Sequence, residues 1–487
     1  MNLVATTTRA TVVFSLTIVL PAFAARSAPA AEPPPNIIFL LVDDLGWTDL
    51  GCFGSDLYET PNIDALAAQG TKFTDGYAAC TVCSPTRAAY MTGKYPARLH
   101  LTDWIAGHMR PNARLRIPDW QKWLSRDETT IAEALKSAGY ATCHIGKWHL
   151  AKRGASVRDF YPEHHGFDVN IAGSSHGAPG SYFFPYRRPG EKGEFRVGRI
   201  PTEGKPGDYL TDALTDEALA FIEQSKGSPF FLSFPYYNVH TPIQGKAEYV
   251  KKYQAKVKPT LRHKNATYAA MIQSVDDSVG RIVAKLKELS LVDNTVIFFT
   301  GDNGGLKLRN ITTNAPLRAG KGSSYEGGVR VPTFAVWPDV TKPGSECSVP
   351  IVTCDFYPTM LEIAGAAGDA RHNKNVDGKS IVGLLKAPSA TLDRDAIFWH
   401  YPHYHPGGAT PYGAVRSGDW KLINFYEDMR VELYNLKDDI GEANDLAKSN
   451  TAQAKLLQDR LRAWRTAVGA QMPTANPDHQ TKKQKQS

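Results

Sequence analysis

Two pairs of oxygen-bearing side chains, Asp43-Asp44 and Asp302-Asn303, stand far apart in the chain. Carboxylates and an amide offer only hard donors, which suit calcium or magnesium and not zinc; calcium tolerates an irregular oxygen cage better than magnesium does. Arg87, Lys147, His149, His240 and Lys321 add positive or titratable groups. Cations gathered beside a metal make chemical sense for a strongly anionic ligand, and sulfate and phosphate esters are the obvious candidates. Cys83 opens the stretch CSPTRAAYMTGKYP, with Arg87 four residues on. A thiolate prefers soft metals. A cysteine-phosphatase loop would place its arginine six residues after the cysteine, where this chain has Ala89. An oxygen-bearing group at position 83 fits better than a thiolate.

Singly, each of these residues has an ordinary structural explanation: a helix cap, a turn, a solvated lysine or a hydrogen-bonded histidine. Their positions relative to the strands argue otherwise. Short apolar runs predict strands over 36–42, 141–145, 229–234 and 295–300, alternating with helices over 63–69, 130–137, 209–224 and 268–289. That alternation implies an α/β fold with a buried, mostly parallel sheet flanked by helices. Asp43 and Asp44 follow the first strand, Lys147 and His149 the second, His240 the third, Asp302 and Asn303 the fourth. Ligands in such sheets bind beyond the carboxyl ends of the strands, so four strands deliver these groups to one edge. Past Gly365 the chain turns polar and rich in Gly and Ala. Strand-like stretches over 396–401, 414–425 and 430–436 follow, then a helix with Leu457, Leu461, Trp464 and Val468 on one face. These predict a smaller C-terminal antiparallel sheet carrying a helix.

The 487 residues, 42% hydrophobic and 22% charged, are enough for one large domain plus a smaller one. Arg9, an apolar run from Val12 to Leu20 and the triplet Ala22-Phe23-Ala24 predict a signal peptide over 1–24, with export to the periplasm or beyond. No later stretch predicts membrane insertion. The net charge of +7 comes without a basic stripe interleaved with aromatics, which argues against nucleic acid. Six cysteines are too few for a disulfide scaffold and lack zinc spacing; Cys80 and Cys83 match CxxC without a thioredoxin-like context. The polar residues 473–487 predict a disordered tail.

Cys83-Ser84-Pro85-Thr86-Arg87, continuing through Thr92-Gly93-Lys94, resembles the type I sulfatase signature. The resemblance extends over Asp43-Asp44-Leu45-Gly46, Thr60-Pro61-Asn62-Ile63-Asp64, Gly146-Lys147-Trp148-His149, Gly301-Asp302-Asn303-Gly304, Lys321, and Glu326-Gly327-Gly328 with Arg330. It implies an alkaline-phosphatase-like fold, with a catalytic domain over 34–385 and a C-terminal subdomain over 390–470. It also implies oxidation of Cys83 to Cα-formylglycine by a formylglycine-generating or sulfatase-maturating enzyme. Asp43, Asp44, Asp302, Asn303 and an oxygen of residue 83 would hold Ca2+. The hydrated aldehyde would attack sulfur and later collapse to release sulfate. Lys147 and Lys321 would neutralise the sulfuryl oxygens, and Arg87 would steady the diol. His149 would take the proton for collapse, and His240 with Lys321 would protonate the leaving oxygen.

Specificity must then come from loops. Asp103, His108, His176, His403 and His405 lie in polar and aromatic stretches suited to a sugar pocket. The leading expectation is an exo-acting hydrolase of sulfate esters on sugars of the galactose or N-acetylgalactosamine type. A phosphomonoesterase or phosphodiesterase of the same superfamily, and a sulfated-glycan-binding protein with Cys83 unoxidised, are the alternatives.

Overall fold

The computed structural model describes residues 1, 3–15, 34–152, 158–191, 196–201 and 203–479. The cleavage segment expected around Ala24 and residues 480–487 of the expected tail lie outside the described residues. The described part of 1–33 has no helix or strand. Residues from Pro34 onward form one compact unit.

Its centre is an eight-stranded sheet built from β1 (Asn36–Val42), β2 (Thr71–Phe73), β3 (Ala141–Ile145), β4 (Val169–Ile171), β5 (Phe230–Pro235), β6 (Thr295–Gly301), β7 (Thr333–Val336) and β8 (Ser345–Cys347). The spatial order is β8-β2-β7-β6-β1-β5-β3-β4. From β6 to β4 every neighbour is parallel, whereas β7 runs antiparallel to both its partners. β1 is the middle of the parallel part because its NIIFLLV sequence is apolar on both faces: Ile38, Leu40 and Val42 pack into one core cluster, and Ile37, Phe39 and Leu41 into the other. The four strands expected from sequence are observed, two of them shifted or extended by one residue at an end. β2, β4, β7 and β8 were not expected; runs of three or four residues are too short to show a period.

Three of the flanking helices are α2 (Ile131–Ser137), α3 (Leu210–Ser225) and α4 (Ala266–Glu288). α2 starts on a capping box, in which Thr130 accepts from the Glu133 N–H and Glu133 reaches back to the Thr130 N–H. A further helix, α1 (Cys83–Thr92), was not expected from sequence. All its residues are buried, so it lacks the polar stripe that marks a surface helix.

The C-terminal region is a four-stranded antiparallel sheet, β9 (Ile397–Tyr401), β10 (Tyr412–Ser417), β11 (Trp420–Phe425) and β12 (Val431–Asn435), followed by the helix α5 (Thr451–Ala467). The single strand expected over 414–425 is instead the β10–β11 hairpin, which reverses at Gly418 with φ 56°. Leu457 and Leu461 of α5 pack on Val415, Leu422 and Leu433. The opposite face, with Trp399, Tyr401 and Ile423, packs on Tyr77, Val82 and Ala89 around α1. Thr474–Ala475 pairs with Leu115–Arg116, so a structureless tail from 473 does not hold for these residues. Among the described residues no helix is long and apolar enough to cross a membrane.

Candidate active site

Beyond the carboxyl ends of β1 and β6 the two acidic pairs interlock. The Asp44 N–H donates to Asp302 Oδ1 at 3.1 Å, and Asn303 Nδ2 donates to Asp44 Oδ1 at 2.8 Å. Asp44 holds a left-handed φ of 59°, and His149, four residues past β3, one of 57°. Non-glycine residues tolerate that region at a cost and concentrate in functional sites. Three cations close on the carboxylates. Lys147 Nζ lies 2.6 Å from Asp43 Oδ2 and Lys321 Nζ 2.5 Å from Asp44 Oδ1. Arg87 donates from Nε and Nη2 to Asp302 Oδ2 at 3.0 and 2.7 Å, and from Nη1 to the Lys147 carbonyl at 2.7 Å. The two acidic pairs and the three cations are all buried.

Burial disfavours charge here, and the neighbours decide each outcome. Burial and Asp302 push the Asp43 carboxyl up, against Lys147. Asp44 and Asp302 are held below the usual carboxylate range despite burial, by Lys321 and Arg87 respectively. Despite burial, Asp44 holds the Lys321 ammonium up. Burial and Lys147 hold His149 neutral; burial and Lys321 push His240 down to about 3. Burial also pushes the Cys83 thiol up, so a thiolate nucleophile is disfavoured.

Cys83 is the first residue of α1, and its Sγ lies with ligand atoms of Asp43 and Asp302 in a group no more than 4.8 Å across. Next to it, Ser84 Oγ donates to the His149 carbonyl at 2.9 Å and accepts from the Ile105 N–H at 3.1 Å. The His149 ring bonds through Nε2 to the Ile105 carbonyl at 2.5 Å. Gly177 lies over that ring, where a Cβ would fall 2.3 Å from His149 Cε1. His240 places Nε2 3.8 Å from Asp44 Oδ2.

Three oxygens in the cluster, Asp43 Oδ1, Asp44 Oδ2 and Asn303 Oδ1, are buried without a hydrogen-bond partner. Buried polar atoms without partners are rare and call for an occupant. Orphaned hard donors among carboxylates are the chemistry of a divalent-cation site, so the residues present fit calcium.

The loop that carries Lys321 is held from both sheets. Lys321 N donates to Gly305 O, Gly322 N to Thr81 O, and Ala409 N to Gly322 O. A few residues on, the Glu326 N–H donates to Glu442 Oε2 at 2.6 Å, and Lys421 of β11 binds both Glu326 and Glu442. Gly322 has φ 71°, and a Cβ there would fall on His405 Nδ1.

A cavity of about 350 Å³ opens above Cys83. Of the residues expected to touch sugar, His108 and His405 line it, with their ring centroids 5.2 Å apart. Trp104 lines it as well and donates from Nε1 to His108 Nδ1 at 3.0 Å. His176 adjoins it through Gly177. Asp103 and His403 do not reach it; both are buried behind the wall. Asp103 Oδ1 accepts from the Tyr401 hydroxyl at 2.8 Å, and His403 Nε2 bonds to Thr102 Oγ1 at 2.8 Å. Arg188, Arg196, Leu306 and Leu308 also line it, without having been expected. The two leucines follow Asn303 in the same loop, so extending the strand-end search would have found them. No sequence signal marked the arginines.

The chain has relatives among known proteins. A family model described as Sulfatase matches residues 35–366, most of the chain. The chain belongs to the sulfatase family. A second model, described as N-sulphoglucosamine sulphohydrolase, C-terminal, matches residues 320–467 of this sulfatase. A sulfatase of Formosa agariphila is 34% identical to it over 500 residues, covering 89% of each chain. The N-acetylgalactosamine-6-sulfatase of Mus musculus is 34% identical, covering 82% of this chain and 75% of that one. The crystal structure of Ps i-CgsB in complex with k-i-k-neocarrahexaose is similar with a TM-score of 0.74 and 32% identity, covering 93% of this sulfatase and 96% of that chain. The fold is therefore alkaline-phosphatase-like, and the sulfatase is a sulfuric ester hydrolase.

Proposed function

We propose that this sulfatase is exported and removes sulfate from carbohydrates, using a Cα-formylglycine made from Cys83 by a maturating enzyme and a calcium ion held by Asp43, Asp44, Asp302 and Asn303. The observation that carries the proposal is the set of orphaned oxygens on Asp43, Asp44 and Asn303 beside residue 83. Bound, the two groups supply an oxygen nucleophile and charge neutralisation at sulfur.

The side chains then have distinct tasks. Lys147 and Lys321, each anchored on a carboxylate, point fixed positive charge at the sulfuryl oxygens. Arg87, held in place by Asp302, steadies residue 83. His149 must donate from Nε2, because its partner there is a carbonyl, and in the neutral ring this leaves Nδ1 as the lone-pair nitrogen. Nδ1 has no partner, so it is the atom that takes a proton. His240 is arranged the other way round: Nδ1 faces the Thr241 carbonyl at 2.9 Å, and Nε2 carries the lone pair. It serves the leaving oxygen after gaining a proton at Nε2, and an anionic ester bound beside it raises its affinity for that proton. Trp104, His108 and His405 offer ring faces and polar edges to one sugar, and a cavity of about 350 Å³ suits a chain end.

Carbohydrate as the substrate class is supported by the cavity chemistry and by relatives named for N-acetylgalactosamine sulfate and solved with a neocarrahexaose. The decisive experiment combines mass spectrometry of the peptide containing residue 83, from protein made in a host with the maturating enzyme, with free-sulfate release from defined sulfated mono- and disaccharides. Formylglycine together with release is expected. An intact thiol in protein that still releases sulfate would overturn the nucleophile, and release from aryl sulfates alone would overturn the substrate class.

A further inference from the structure

The base of the site is electrically balanced: Asp43, Asp44 and Asp302 are each matched by Lys147, Lys321 or Arg87 within hydrogen-bond distance. The outer cavity is less balanced, with one described carboxylate, Glu191, against two guanidinium groups. Its described lining holds Arg188 and Arg196 and no carboxylate. Arg188 is exposed, and Arg196 is partly buried and oriented by Glu191, with Nε 2.6 Å from Glu191 Oε1. Besides burial, the positive charge of Arg110 lowers both His108 and His405. Neutral sugar hydroxyls are served by short polar groups and ring faces, which Trp104, His108 and His405 already supply. A pair of guanidinium groups is instead suited to the flat, bidentate recognition of an oxyanion.

We propose that Arg188 and Arg196 form a second anion subsite that binds another sulfate of the substrate, so that the preferred carbohydrate carries at least one sulfate besides the one removed. This rests on the carbohydrate sulfatase function above. Leu306 and Leu308, which line the same cavity, give the intervening sugar an apolar surface. The second sulfate is bound and not cleaved, because among the described residues the metal-ligand cluster lies at Asp43, Cys83 and Asp302, at the base of the site.

The test uses the full-length mature enzyme and matched pairs of disaccharides from carrageenan and chondroitin sulfate digests, each pair differing only in a second sulfate. The kcat/KM ratio of disulfated to singly sulfated substrate is measured in wild type, Arg188→Ala and Arg196→Ala. A ratio is taken within one preparation, so partial misfolding of a variant does not alter it. For the best-cleaved pair, wild type is expected to favour the disulfated member by about tenfold, the weight of one charge-assisted contact. Each variant is expected to bring the ratio towards one, mainly through KM. A wild-type ratio of one, or a ratio unchanged in both variants, overturns the subsite while leaving the sulfatase chemistry standing. Absence of sulfate release from every sugar, with aryl sulfate still cleaved, overturns the carbohydrate function and the subsite with it.

Discussion

The ammonium of Lys421 lies 2.8 Å from Glu326 Oε1, and so joins the C-terminal sheet to the segment that carries Lys321. Lys421 is fully buried and also binds Glu442 Oε1 at 2.9 Å. Removing one partner of a buried ion pair strands the others, at about 3–5 kcal/mol. Lys421→Met is expected to destabilise the protein by that amount in urea unfolding. It should also lower kcat, because the loop bearing Lys321 loses its anchor, and Lys421→Arg should recover part of both. Full activity in a stably folded Lys421→Met protein would detach the network from the site.

Calcium should stabilise the folded protein. At a hundred times its Kd a ligand that binds only the folded state adds about 2.7 kcal/mol. A rise in Tm with calcium is expected in wild type and should be absent in Asp302→Asn, together with loss of sulfate release after chelation. A Tm indifferent to calcium in mature protein would rule out the oxygen cluster as its site.

Gly177→Ala would drive a methyl group into the His149 ring. Displacing a catalytic group by about 1 Å costs on the order of 100-fold in rate. A fall of that order in kcat is expected, with a smaller effect on Tm; an unaffected kcat would remove His149 from the proton transfer.

Asp103 gives stability a pH dependence. Burial pushes its carboxyl up to about 7, against hydrogen bonds from Tyr401 and the Trp104 N–H. The folded state therefore holds a proton that the unfolded chain, with a carboxyl near 3.8, releases. Stability contributed by this group is complete below about 4 and declines as pH rises towards 7, by at most about 1.4 kcal/mol per pH unit. Urea unfolding between pH 4.5 and 7.5 should show that decline in wild type and a shallower one in Asp103→Asn. Equal slopes in the two proteins would show that Asp103 ionises normally.

Asp43, Asp44, Lys147, His149, His240, Asp302 and Asn303 were legible because each follows a mostly apolar strand, as Asp43 follows NIIFLLV, and a parallel sheet sends all such positions to one edge. The cavity wall was less so. Asp103 and His403 have the composition of sugar contacts, yet residue type does not tell which face of a loop looks inward. Trp104, one residue on, takes the place that Asp103 was expected to have. β7 escaped notice because four residues without alternation look like any buried loop, and α1 because burial on every side erases helical periodicity.

The packing of β9–β12 against α1 sets an order of events. In the finished fold Cys83 is only 3% exposed, and Trp399 of β9 donates its indole N–H to the Ala78 carbonyl just upstream, sealing the segment from behind. On the proposed function, the enzyme that oxidises Cys83 would have to reach it before these strands dock. Folding and maturation would then compete for the same chain, and a molecule that closes first would keep its thiol.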